Sequence, residues 1–141
     1  MKIKLFFSFC LFLFLQHQLN AQASWSPIGL DVAGHNKMNG VEASYQLGTC
    51  NGNDVVFIKL VNQNNFDVTV EWYPAVFTNT LTWIKKETPA DKKSIDISSG
   101  AELSGDCSAA NPPLMILLND FPVAVNNFIR FGTTNFAVYP K

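Results

Sequence analysis

Apolar and polar residues alternate in short runs along most of the chain, separated by Asn, Gly, Pro and Asp. This is the period of two that a β-strand imposes, not the 3.6 of a helix. In Asp54 to Asn62, Val56, Ile58 and Leu60 share one face while Val55, Phe57, Lys59 and Val61 share the other. In Asp67 to Tyr73, Val68, Val70 and Trp72 oppose Thr69, Glu71 and Tyr73. Between these runs lies Gln63-Asn64-Asn65-Phe66, whose asparagines tolerate left-handed backbone angles, so the two runs are predicted to pair as a hairpin. Further strands are predicted over Val41 to Leu47, with Val41, Ala43, Tyr45 and Leu47 inward, and over Thr80 to Lys86, with Leu81 and Trp83 inward. Ser94 to Ile97, Ala101 to Leu103 and Leu114 to Leu118 follow; the last lacks polar alternation, which marks a strand buried on both faces or central in its sheet. A final stretch, Phe128 to Tyr139, is broken at Gly132. Roughly seven to eight short strands with frequent turn signals predict an all-β fold, a sandwich or a small closed barrel, of which a single antiparallel β-sandwich is the reading adopted.

The first residues follow a different rule. Lys2 and Lys4 precede an apolar run from Leu5 to Leu15, then a polar stretch and Ala21-Gln22-Ala23, with small residues where a signal peptidase reads. The run falls short of the roughly 18 residues that span a bilayer, so residues 1–23 are read as a cleaved signal peptide, and Cys10 is discarded with them. Residues 24–40 are then an extended N-terminal segment and 41–141 the sandwich domain. A secreted or periplasmic location changes the meaning of the remaining cysteines, Cys50 and Cys107. In an oxidising compartment an even pair without metal-ligand spacing reads first as a disulfide, ahead of two unpaired buried thiols or a metal pair. Closing so long a loop is worth about 4 kcal/mol in chain entropy.

At 141 residues, 48% hydrophobic and 15% charged, the chain suits one globular domain and excludes a multi-domain enzyme. Its net charge is −1, and losing Lys2 and Lys4 leaves it more acidic, so no basic surface is expected for nucleic acid or an anionic membrane. Lysines concentrate in Lys85 to Lys93, which reads as a solvated loop that discourages edge pairing, or as a patch for an anionic ligand.

Candidate chemistry is sparse. Beyond residue 23 the chain has one histidine, His35, with Asp31 four residues earlier, and one arginine, Arg130. His35 stands in a polar stretch without an evident nucleophile and is read as an exposed structural residue. No nucleophile elbow, zinc motif or phosphate-cradling glycine loop is present. Asn51-Gly52-Asn53-Asp54 offers oxygen ligands but lacks the spaced acids of a calcium loop, and is read as a tight turn. Neither a cofactor nor a metal is expected. Among the aromatics, parity assigns Trp72 and Trp83 to the core, and leaves Trp25, Glu71 and Tyr73 as the candidate interface.

Val55-Val56-Phe57-Ile58-Lys59-Leu60-Val61-Asn62, then Asn64, then Val68-Thr69-Val70-Glu71-Trp72, resembles the central strand pair of immunoglobulin-like sandwiches in exported bacterial proteins, many of them uncharacterised. The resemblance implies an immunoglobulin-like sandwich and no activity. The chain departs from the antibody pattern, since Cys50 lies before the first of these strands, in Gly48-Thr49-Cys50-Asn51-Gly52. The function expected is therefore a secreted or periplasmic, non-catalytic binding or assembly module for an envelope or extracellular protein. The alternative is a small carbohydrate-binding module that stacks sugars on exposed aromatics. A hydrolase with unrecognised acids ranks third.

Overall fold

The computed structural model describes residues 24–108, 110–122 and 127–141. Residues 1–23, read above as a signal peptide, lie outside the described residues, Cys10 among them. Ten strands, β1 (Ser26–Pro27), β2 (Lys37–Met38), β3 (Val41–Cys50), β4 (Asn53–Asn62), β5 (Val68–Thr78), β6 (Trp83–Lys85), β7 (Lys93–Ile97), β8 (Glu102–Ser104), β9 (Met115–Leu117) and β10 (Phe128–Pro140), form two antiparallel sheets. The fold is all-β, as the alternation predicts. The strands beyond the expected seven or eight are the short β1 and β2.

The first sheet grows from a hairpin that the sequence analysis placed one strand too late. β3 and β4 pair from Val41↔Asn62 to Cys50↔Asn53. Asn51 and Gly52 make the two-residue turn at φ 51° and 77°, the left-handed geometry that matches strand twist. β4 does not pair with β5. Its other edge is occupied by β8 and β9, while β5 lies in the second sheet. Residues 63–67 thus carry the chain across the sandwich. Asn62 makes the corner: fully buried, its Nδ2 donates to the carbonyls of Phe66 (2.9 Å) and Ser98 (3.1 Å) while its Oδ1 accepts from Asn64 N (3.0 Å). The asparagine-rich run does turn the chain, but it turns it from one sheet to the other.

In the second sheet β5 is central, with β10 on one side and β6 and β7 on the other. Val41, Ala43, Tyr45, Val56, Ile58 and Leu60 from the first sheet meet Val68, Val70, Trp72, Val76, Ile97 and Phe131 from the second. Each fully buried aliphatic or phenylalanine side chain contributes about 1.5–3 kcal/mol, so this interior outweighs any surface interaction described below. Trp72, 1% exposed, is in the core as parity predicts.

Several faces differ from expectation. Leu47 keeps inward parity but lies past Tyr45, the last core residue on that face of β3, and is 44% exposed. Leu81 turns at φ 59°, with its N–H donating to Thr78 O, and this turn shortens the expected Thr80–Lys86 strand to β6. Ile84 then stands beside Val76 and packs on the core, while Leu81 and Trp83 face outward. Leu114–Leu118 is not a central strand. Pro112–Leu114 and Leu118–Asp120 form 3₁₀ turns around β9, which pairs only with β4 and alternates in burial. β10 runs through Gly132 unbroken, with register shifts on either side, the second beside Asn135 at φ 51°.

Residues 24–40 hold the short strands β1 and β2 with turns at Asp31–Gly34 and Asn39–Gly40, and they pack on the two sheets. β1 and β2 both pair with β3, and Ile28 and Leu30 enter the core. Gly29 forms a parallel bridge to Gly132, so this segment lies along the free edge of β10. The Cys50–Cys107 disulfide is present, with Cα atoms 5.6 Å apart. It ties the end of β3 to the loop after β8, within the first sheet's neighbourhood and not across the sandwich.

Candidate functional site

The period-two pleat that fills the core also decides what the outer face of the second sheet displays. Trp83, Phe77 and Arg130 stand in one row across β6, β5 and β10; Lys85, Ala75 and Gly132 form the next row, and Tyr73 with Thr134 the one after. The rings of Phe77 and Trp83 meet with centroids 5.1 Å apart. The guanidinium of Arg130 lies 4.9 Å from the Phe77 centroid and 5.3 Å from that of Trp83. Gly132 makes this arrangement possible, because a Cβ there would come within 2.6 Å of the indole.

Beside this face, along the edge of β10, runs the 27–34 segment. Ile28 and Leu30 anchor it, and Asp31 shapes its turn: Oδ1 accepts the N–H groups of Ala33 and His35, both at 3.0 Å. Oδ2 meets His35 Nδ1 at 2.7 Å, and these hydrogen bonds from His35 hold the Asp31 carboxyl below its ordinary pKa. Between the segment and the sheet is a groove of about 590 Å³, lined by Leu30, Asp31, Trp83, Lys85, Arg130 and Thr134 among others. Glu87, Thr133 and Asn135 also line it, and Val32, fully exposed, stands at its lip.

The cations divide into two sets. Lys59, Lys86, Lys92 and Lys141 are engaged by Glu102, Asp91, Glu71 and Asp96 respectively. Among the described residues, Lys37, Lys85, Lys93 and Arg130 have no such carboxylate, and of these Lys85 and Arg130 line the groove. The Thr133 and Thr134 hydroxyls are shielded from solvent and find no hydrogen-bond partner there.

The residues singled out from sequence lie apart. Trp25 stacks under Lys59 (5.1 Å) on the outside of the first sheet. Glu71 and Tyr73 lie outside the second sheet, where Glu71 binds Lys92 at 2.7 Å and Tyr73 faces Thr134 at the groove's border. The three therefore do not make one surface. His35 is exposed and bonded to Asp31. The Lys85–Lys93 run is split by its own ion pairs and by the Thr88–Asp91 capping contacts, leaving Lys85 to the groove. Trp83, assigned by parity to the core, is 38% exposed and is instead a wall of the groove. Two signals pointed here: the chain's only arginine, and a glycine two residues after it within a strand, a mark of close approach.

Among the described residues no cluster of His, Cys, Asp or Glu side chains suits a metal ion. No helix among them is long and apolar enough to cross a membrane. No family model matches the chain, and no curated protein matches it. Among solved structures it is similar to a DUF1425 family member from Shewanella sp. pv-4, at 10% sequence identity and a TM-score of 0.43, over 72% of this chain and 76% of that one.

Proposed function

We propose that the protein is an exported, non-catalytic binding module that holds an envelope or extracellular partner in the groove between residues 27–34 and the second sheet. The observation that carries this reading is the pairing of Arg130 with Trp83. An arginine without a carboxylate, supported by two aromatic rings beside a cavity, is a preformed recognition element, since its rotamer entropy is spent before the partner arrives. The immunoglobulin-like character of the sandwich belongs to the same proposal, supported by the two packed sheets and the crossing from β4 to β5. The Cys50–Cys107 disulfide supports the secreted or periplasmic location.

The test is retention of the tagged protein on isolated envelopes of its native host, comparing wild type with Trp83→Ala, Arg130→Gln and, on the opposite sheet, Trp25→Ala. The groove variants should lose retention by about tenfold, the scale of a lost interfacial anchor, while Trp25→Ala keeps it. Full retention by both groove variants with loss in Trp25→Ala would move the interface to the first sheet. A second reading, a small carbohydrate-binding module, is favoured by Trp83 standing partly exposed in the groove wall.

A further inference from the structure

Resting on the groove as the binding site, we propose that its ligand is a carboxylate-bearing saccharide, a uronic acid unit whose carboxylate is taken by Arg130 and Lys85. The guanidinium of Arg130 is held 4.9 Å from the Phe77 ring and 5.3 Å from that of Trp83, and the fork of its N–H groups matches a carboxylate. Lys85 stands one pleat from Trp83 on the same face and supplies a second positive charge. Both cations lack an ion-pair partner among the described residues, and of the four such cations these two line the groove.

The rest of the lining selects among anions. Asp31 and Glu87 line the same groove and offer carboxylate oxygens as acceptors to the hydroxyl groups of a ligand. The Asn135 side-chain amide, exposed in the same lining, can give or accept a bond. One carboxylate surrounded by several hydroxyls is the composition of an acidic sugar. Trp83 provides the apolar surface against which a sugar ring packs.

Isothermal titration calorimetry with the full disulfide-bonded protein tests this, using a galacturonate oligosaccharide, the neutral galactose oligosaccharide of equal length, a polyglutamate peptide and inorganic phosphate. The acidic oligosaccharide should bind, the neutral one should bind at least about tenfold more weakly, and Arg130→Gln should remove that difference. Arg130→Lys keeps the charge without the fork and should recover only part of it. Equal binding of acidic and neutral sugars overturns the carboxylate assignment while leaving the groove reading standing. Arg130-dependent binding of the peptide or phosphate in place of the sugar overturns the saccharide assignment. If none of the four binds, the inference fails, and envelope retention by the groove variants decides separately whether the groove is the interface. Thermal unfolding of each variant within a few degrees of wild type confirms that the comparison is between folded proteins.

Discussion

Asn62 shows how much one polar side chain can decide in a small sandwich. It is fully buried, and its amide donates to Phe66 O and Ser98 O and accepts from Asn64 N. Asn62→Ala removes these bonds and should cost about 2 kcal/mol, read as a lower urea midpoint with an unchanged slope. An unchanged midpoint would mean that water replaces the amide. At this scale the sequence was legible where parity alone set the environment, as for Trp72. It was not legible for Trp83, because the turn at Leu81 changes which side chains of the next strand point inward, and nothing in the alternation of Thr80 to Lys86 reveals that turn. Arg130 was visible as the only arginine, but its rings come from two other strands.

The strands themselves were read with good accuracy from alternation, and their partners were not. Whether an asparagine-rich turn reverses a strand within its sheet or passes it to the facing one depends on what already occupies the edge of β4. Here β8 and β9 occupy it, and both come from far along the chain. The β3–β4 hairpin was open to local reading, since Asn51-Gly52 between alternating runs is the strongest short-range hairpin signal. Gly52→Ala forces a Cβ into φ 77° and should destabilise the protein by about 1 kcal/mol, although nothing lies within 4 Å of the new methyl; thermal unfolding checks this. Beside that turn, the disulfide encloses a separation of 57 residues. Reduction should lower stability by about 4 kcal/mol, measured by urea unfolding with and without reductant. A midpoint indifferent to reductant would show that the unfolded chain is already confined without the bridge.

For the molecule as a whole, acidity should be the sensitive variable. Hydrogen bonds from His35, Thr88, Lys141 and Ser108 lower the carboxyls of Asp31, Asp91, Asp96 and Asp106 below their ordinary 3.8. Between the folded and ordinary pKa values the unfolded chain binds more protons than the native one. Their stabilisation is therefore complete above 3.8 and drains away as the pH falls through the folded values. Lys92, raised above 10.5 by Glu71, does the reverse: its contribution is complete below 10.5 and lost as the pH rises through its folded value. The melting temperature should hold level from about pH 5 to 9, drop below 3.8, and drop less steeply in high salt, because all these pairs are exposed. The last strand sets a limit of another kind. β10 lies along most of β5 and brings Phe131 and Phe136 into the interior, so the second sheet lacks one side without it. A chain in which β10 has not yet docked has no closed core to bury, and the uncovered edge of β5 is open to aggregation until this strand is in place.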